Sequence, residues 1–343
     1  MTLRAPLSSL VFALVLVMAL GACRQKAGEA AKTEINEPAK PARELPAQEE
    51  ATSERQAGHA AEFAEFRKNR EDRLRQPTSW LTLVGLYWLN PGENSAGSAP
   101  TAEIVFPPSL PVSLGTFVVP GPDGAAAELR TTGGFTVTVE GEEGKSAAEK
   151  QTRVPMMADS SGKTTVVRSG SVTFYLIDRS GKIGVRIKDS EAETYKSFKG
   201  IETWPLSWDW RVRARFEPAP AGRKIKVPNV LGQVSEEASA GIVYFEKGGQ
   251  TWQLEALEGE GEDGLYFIFG DGSNGKGSYG GGRFLDAKVE GGDRKKATAA
   301  IVDFNLAYNP PCVFSPYATC PLPPAESKIS LPIEAGEKVW GSH

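Results

Sequence analysis

The chain has 343 residues, of which 40% are hydrophobic and 24% are charged, and this globular composition excludes disorder throughout the chain. A formal net charge of −4 argues against a nucleic-acid-binding protein, which would carry a basic field. Only two histidines, His59 and His343, are present, which leaves few ways to build a histidine-dependent site.

Residues 1–22 have the pattern of a lipoprotein signal peptide. Arg4 gives a positive start, and the apolar run Leu10 to Leu20 suits a signal-peptide core but is too short to span a bilayer. Leu20-Gly21-Ala22-Cys23 resembles the bacterial lipobox, in which the cysteine is acylated after cleavage. We expect lipidation at Cys23, with an incidental cysteine as the alternative. Arg24 resembles an outer-membrane sorting residue, which implies the periplasmic face of that membrane.

Residues 23–57 are predicted to form a disordered tether. The segment is rich in Ala, Glu, Lys and Pro, and its only large apolar residues are Ile35 and Leu45. Such a composition buries too little surface to offset the entropy of ordering. The folded body is therefore expected at 58–342, with two possible sub-lobes at about 58–200 and 201–342.

One long amphipathic helix is predicted at the start of the body. Phe63, Phe66 and Leu74 recur near helical spacing, and Gln76-Pro77 ends the pattern. His59 precedes this apolar stripe, and we expect it to be exposed and without a functional partner.

From Ser79 onward the pattern is that of short strands between turns. Such spacing is typical of a mainly β fold, a sandwich or barrel-like body of antiparallel strands. No regular repeat of a propeller or solenoid is present. The predicted strands are 80–89, 104–106, 116–119, 135–139, 163–167, 172–177, 183–187, 242–245, 252–254, 265–269 and 300–304.

Three motifs resemble the bacterial and archaeal family called domain of unknown function 1684. They are Trp80 to Asn94, Val185 to Asp189, and Asp303 to Cys312 with its continuation Ser315 to Pro324. The resemblance covers about Ala60 to Lys338, with departures at Ala96 and Ser327. It implies a fold and candidate residues but no substrate.

The first half is also similar to the start of forkhead-associated β-sandwich domains. The similarity lies in Gly92 to Ser95 and the strand that follows at Glu103 to Phe106. Glu93 and Asn94 stand where those domains need an arginine for phosphothreonine. A shared shape is therefore expected without phosphopeptide binding.

Cys312 and Cys320 are the two cysteines besides Cys23, and they lie in a Pro-rich loop. Exported proteins meet an oxidising compartment, and two remaining thiols are the number that one disulfide needs, so we predict a disulfide between them. A cysteine nucleophile and inert thiols are the alternatives. A Cys–His pair or a zinc site lacks a suitable histidine. We predict no metal and no cofactor.

Gly270 to Gly277 contains literal phosphate-loop patterns after an apolar strand. Gly277 follows Lys276 where Ser or Thr is needed, and the next residues disfavour a helix. A glycine-rich turn is therefore predicted, and its oxygen-bearing residues give only a weak calcium signal.

Polar residues in apolar or Gly/Pro surroundings form the candidate ligand-binding set. Two interpretations stay open, a structural network such as Arg186 or Arg283 with Asp303, and a pocket for an anionic or sugar-like ligand with an aromatic wall. Trp204, Trp208 and Trp210 are candidates for that wall or for the core. The set comprises Arg186, Lys188, Asp189, Asp271, Asn274, Lys276, Tyr279, Arg283, Asp303, Asn305, Tyr308, Asn309 and Tyr317.

The sequence thus favours a lipid-anchored envelope protein that binds a small polar, anionic or carbohydrate-like ligand or a cell-wall component. One alternative is a hydrolase or lyase that uses Asp, Lys, Tyr and Arg of the C-terminal half without histidine. A second alternative is a purely structural envelope protein. Membrane lipid is the expected partner through Cys23, nucleic acid is not, and no oligomeric state is predicted.

Overall fold

A computed structural model describes residues 44–121, 126–131, 137–140, 146–149 and 152–341. The predicted signal peptide, Cys23, residues 23–43 of the predicted tether and His343 lie outside the described residues. The predicted strand 135–139 lies partly outside them.

The described residues form many short strands and one long helix, which confirms the predicted mainly β fold. The helices are α1 (Ser53–Leu74) and the single turn α2 (Glu193–Lys196). The strands are β1 (Leu83–Trp88), β2 (Gly92–Gly97), β3 (Ile104–Val105), β4 (Gly115–Val119), β5 (Ala126–Thr131), β6 (Val137–Glu140), β7 (Ser146–Glu149), β8 (Arg153–Met157), β9 (Val166–Ser169), β10 (Val172–Arg179), β11 (Lys182–Asp189), β12 (Arg211–Pro218), β13 (Lys224–Pro228), β14 (Val234–Lys247), β15 (Gln250–Glu258), β16 (Gly264–Phe269), β17 (Arg283–Val289) and β18 (Ala299–Asp303).

Strands β1–β11 form two sheets that share one core. One sheet has the order β1-β11-β10-β9-β6-β7 and the other the order β3-β2-β4-β5-β8. Phe117 and Leu129 of the second sheet and Phe174 and Val185 of the first lie in the same buried cluster. This half is therefore a β-sandwich.

Strands β12–β18 form a second, closed body. The order β12-β18-β17-β16-β15-β14 closes because β12 also pairs with β14, and β13 is added outside β14. A separate core that includes Phe216, Phe267 and Phe304 fills this barrel. Closure removes sheet edges, which otherwise expose unpaired backbone groups.

Helix α1 begins earlier than the sequence pattern indicated. The Thr52 hydroxyl accepts a hydrogen bond from the backbone N–H of Arg55, and the helix ends at Leu74, just before Gln76-Pro77. Its buried residues His59, Phe63 and Leu74 lie on one face. None of the described helices is both long enough and apolar enough to span a membrane.

The chain before α1 is also ordered from residue 44. The Gln48 side-chain amide donates to the Arg213 carbonyl and accepts from the Arg213 N–H, both at 2.9 Å. Residues 44–57 therefore differ from the expected disordered tether, since polar contacts with β12 order a segment that has little apolar surface.

Several strands carry no strong sequence pattern. The run 80–89 begins as a 3₁₀ turn at Trp80–Thr82, and only its second part forms β1. The strands that were not predicted are β2, β5, β7, β8, β12, β13 and β17. Of these, β12 and β13 do alternate charged and apolar residues, whereas β2, β5 and β7 have few large apolar residues. Pairing with neighbours decides their conformation more than local propensity does.

Candidate functional site

Strand β11 presents two cations on one face of the sandwich. Its side chains alternate, so that Val185 and Ile187 enter the core while Arg186 and Lys188 lie on the opposite face. Register places Tyr175 of β10 directly opposite Arg186. The fold thus brings Arg186, Lys188 and Tyr175 together.

Two aromatic rings lie beside both cations. The Arg186 Cζ atom lies 5.3 Å from the centroid of the Trp80 ring and 5.9 Å from that of Tyr175. The Lys188 Nζ atom lies 5.2 Å and 5.9 Å from the same two centroids. We call Trp80, Tyr175, Arg186 and Lys188 the cation–aromatic cluster.

Arg186 is buried with few partners. Arg186 is only 4% exposed. Its Nη2 atom donates to the Thr319 hydroxyl at 3.3 Å. Its buried Nε atom has no hydrogen-bond partner. Among the described residues no carboxylate forms an ion pair with it. A guanidinium in this position keeps unused donors.

Lys188 also lacks an acidic partner among the described residues. Its Nζ donates to the Thr78 carbonyl. Burial, and to a lesser extent the neighbouring charge of Arg186, together lower the pKa of Lys188 to about 8. The cluster is therefore a partly buried site of positive charge.

A loop from the barrel half covers part of this face. The closing loop, Cys312–Cys320, supplies Thr319 to Arg186, and its Ser315 hydroxyl donates to the Leu83 carbonyl at 2.8 Å. Tyr317 is exposed on the loop and does not contact the cluster through any described hydrogen bond.

Cys312 and Cys320 lie side by side as free, buried thiols. Each sulfur accepts from the other residue's backbone N–H, at 3.0 and 3.4 Å. The Cys320 side chain, more than the charge of Arg186, lowers the pKa of the Cys312 thiol, and the pKa of Cys320 is raised. The predicted disulfide is not formed here and stays a prediction.

The other predicted residues of β11 and its surroundings do not join the cluster. Asp189 lies two positions beyond Ile187, on the core side of the strand, and its carboxylate accepts from the Glu191 N–H. Its role is local, since it closes the turn after the strand.

The glycine-rich turn is held by a buried ion pair. Arg283 Nη2 lies 2.9 Å from Asp271 Oδ2, and both side chains are fully enclosed. Asp271 also accepts from the N–H groups of Ser273 and Ile333, while Asn274 accepts from the Asp271 N–H. This confirms a turn instead of a phosphate loop. Lys276 is exposed on it.

The predicted pairing of Arg283 or Arg186 with Asp303 is wrong. Asp303 instead lies 2.6 Å from His59 Nε2 and 3.2 Å from Arg211 Nη1. Its other oxygen accepts from the backbone and side-chain nitrogens of Asn305. The reason is topological, because Asp303 ends β18 beside the start of β12.

The expectation that His59 is exposed is also wrong, since it is 4% exposed and packs edge-on against Trp208. The residue lies four positions before Phe63 and so continues the buried stripe of α1. That spacing is the signal in the sequence. His59, Trp208 and Arg211 line a cavity of about 200 Å³.

Tyr308, Asn309 and Tyr279 have structural contacts. The Tyr308 hydroxyl donates to Asp286 at 3.0 Å, and the Asn309 amide donates to the Lys338 carbonyl at 2.7 Å. Tyr279 packs against the two cysteines. These three residues hold the closing motif in place.

The aromatic wall differs from the predicted one. Trp204 lies against Arg283, Trp208 against His59, and Trp210 against Phe304 of the barrel core. Trp80 and Tyr175 form the wall instead. Thr319 is a further residue that sequence reasoning missed, since only the folded closing loop brings it to β11.

Comparison with known proteins identifies a family over the C-terminal part of the chain. Residues 196–338 match the model of a family described as "Protein of unknown function (DUF1684)". This confirms the family resemblance over the closing motif. The expected extent from Ala60 is not matched, because the motifs at 80–94 and 185–189, and with them Trp80, Arg186 and Lys188, lie before residue 196, as does Tyr175.

Among solved structures, the chain is similar to the solution NMR structure of an uncharacterized protein of Haloarcula marismortui. The sequence identity is 25%, the match covers 44% of this chain and 82% of that chain, and the TM-score is 0.37. No curated protein matches the chain.

Proposed function

We propose that this chain, whose residues 196–338 match the DUF1684 family model, binds a small anionic ligand at the cation–aromatic cluster. The ligand class includes acidic sugars and charged cell-wall fragments, because Trp80 and Tyr175 offer ring faces and Arg186 and Lys188 offer charge-assisted donors.

The observation that carries the proposal is the unused hydrogen-bonding capacity of Arg186. Burial of a guanidinium is costly unless a partner compensates it. Cation–π contacts contribute roughly 0.5–2 kcal/mol each, which is less than the several kcal/mol that an unpaired buried ion costs. A bound anion would supply the missing acceptors.

Isothermal calorimetry tests the proposal. The probes are sulfate, phosphate, small carboxylates, sugar acids and peptidoglycan fragments, with neutral sugars as the comparison. We expect anionic probes to bind, and Arg186→Gln to weaken binding at least tenfold. Lys182→Gln is the matched control, because Lys182 lies on the same face of β11 over the Trp88 ring but is exposed. If no probe binds, the purely structural alternative is favoured.

We also propose that the chain is anchored in the envelope through lipid on Cys23, with the folded body on the periplasmic face of the outer membrane. The lipobox-like residues 20–23 support this. Cys23→Ser is expected to move the protein from the membrane fraction to the soluble fraction. Retention of the variant in the membrane would contradict the anchor.

A second candidate function is acid–base catalysis by His59. One observation favours it over the hydrolase or lyase without histidine that the sequence left open. The observation is that His59 Nε2 lies 2.6 Å from a carboxylate oxygen of Asp303, and both side chains are buried. The cavity beside His59 gives a substrate access. A hydrolase assay with His59→Gln decides, since the residual rate must fall at least tenfold if His59 takes part.

A further inference from the structure

Within the proposed anion site, we infer that Lys188 is a nucleophilic amine that forms an imine with a small oxo acid whose carboxylate lies on Arg186. The inference rests on the proposed function and adds a ligand class, a carboxylate with a neighbouring carbonyl group.

The geometry places the two groups for one such molecule. Arg186 and Lys188 are two positions apart on β11, so their side chains leave the sheet roughly 6–7 Å apart on the same face. Both cationic ends lie over the rings of Trp80 and Tyr175. A carboxylate held by Arg186 would therefore bring an adjacent carbonyl carbon to the amine.

The surroundings of Lys188 favour a neutral amine. Burial, the Arg186 charge and the lack of a described carboxylate partner act in the same direction, with the pKa at about 8. At pH 7 roughly one Lys188 amine in ten is then unprotonated, compared with roughly one in 2,500 for an ordinary lysine. A desolvated lysine beside another cation is a known way to obtain a nucleophile.

The step balances within the two reactants. The Lys188 nitrogen donates its lone pair to the carbonyl carbon, and the carbonyl oxygen takes up a proton to give a carbinolamine. That oxygen then leaves as water with both amine hydrogens, the C–O bond breaks and a C=N bond forms. Arg186 stays protonated and keeps the carboxylate in place.

Reductive trapping tests the inference. The full chain is incubated with pyruvate and cyanoborohydride, digested and analysed by mass spectrometry. We expect one reduced pyruvate on the peptide that contains Lys188. Lys188→Arg must lose the label, Arg186→Met must reduce it at least tenfold, and Lys182→Arg must leave it unchanged.

Lactate separates this inference from the proposed function, because it has the carboxylate but no carbonyl group. Calorimetry is expected to show lactate binding to the native chain and to Lys188→Arg, which also reports that the variant is folded. If lactate binds but pyruvate is not trapped, or is trapped equally on exposed lysines, the imine is ruled out and the anion site stands. If neither acid binds, this inference fails, and the proposed function fails with it only if sulfate, phosphate and the sugar acids do not bind either.

Discussion

Arg186 combines two properties that rarely occur together in a protein core, namely 4% exposure and no described carboxylate partner. Other arginines of the molecule show the common arrangement. Arg283 is enclosed with Asp271, and Arg70 binds Glu337 through Nε at 3.0 Å. A buried charge without a counter-ion costs stability, so we expect Arg186 to lower the stability of the unliganded fold.

Arg186→Met is expected to raise the free energy of unfolding of the unliganded protein by about 1–3 kcal/mol, because it replaces an unpaired buried charge by an apolar side chain of similar length. The same variant is expected to lose anion binding. Urea denaturation with and without sulfate measures both effects. A loss of stability in the unliganded variant would contradict this interpretation of Arg186.

Lys188 makes stability depend on pH. Its pKa is about 8 in the folded chain and 10.5 when unperturbed, so between these values the unfolded state binds more protons. Stability from this residue therefore rises from pH 8 to pH 10.5, by at most about 1.4 kcal/mol per pH unit. We expect the stability of the native chain relative to Lys188→Met to rise over that range in urea titrations, because the cost of the buried charge is relieved as Lys188 loses its proton. A constant difference would show that Lys188 is not perturbed.

At the residue scale, sequence alone identified part of the site. Strand alternation is enough to place Arg186 and Lys188 on one face, and both were candidates. Tyr175 and Trp80 depend on the register of β10 and on the 3₁₀ turn before β1, which local pattern does not determine. His59 was predicted to be exposed because histidine is polar, although its position four residues before Phe63 places it on the buried face of α1.

The conformation of the glycine-rich turn is held by the buried ion pair of Asp271 and Arg283. Its backbone wraps around the Asp271 carboxylate, which receives hydrogen bonds from Ser273, Ile333 and Arg283. Because all of these donors are buried, removing the acceptor leaves two N–H groups without an acceptor and leaves Arg283 with backbone carbonyls but without its counter-ion.

Asp271→Ala is therefore expected to destabilise the fold by about 3–5 kcal/mol, as loss of one partner in a buried pair does. Thermal unfolding measures the effect. Lys276→Ala, at an exposed position of the same turn, is the matched control and is expected to change stability by less than about 0.5 kcal/mol. Equal effects of the two substitutions would contradict a structural role for Asp271.

Element prediction succeeded where the hydrophobic pattern was strong. The middle strands β10, β11 and β16 are dense in β-branched and aromatic residues, and α1 has a clear apolar stripe. Strand β12, with three arginines in eight residues, forms because β18 and β14 both pair with it. Its charged and apolar residues also alternate from Arg211 to Glu217, which is the pattern of a half-buried strand, although no strand was predicted there.

For the whole molecule, the closing loop is one of the connections between the sandwich and the barrel. It contacts β1 through Ser315 and β11 through Thr319, while the Val230 N–H beside β13 donates to the Cys320 carbonyl at 3.1 Å. The two thiols therefore lie at the ends of a loop that contacts both the sandwich and the barrel. The sequence shows the two cysteines, but it does not show that the loop between them contacts both the sandwich and the barrel.

If the proposed disulfide forms in an oxidising compartment, it is expected to add about 2–3 kcal/mol of stability by closing a short loop. The double variant Cys312→Ser, Cys320→Ser should then unfold at lower temperature than the oxidised native chain. Under reducing conditions that difference should shrink. An equal gap in both conditions would show that no bond had formed.

Gln48 imitates a neighbouring strand, because its amide binds both backbone groups of Arg213 where β12 lacks a β14 partner. A proteolytic cut between residues 44 and 52 would uncover this short stretch of backbone. Exposed backbone of this kind recruits identical chains. Molecules cut in this segment would then be prone to self-association. An intact segment 44–52 would prevent such strand-to-strand association by covering the backbone of β12.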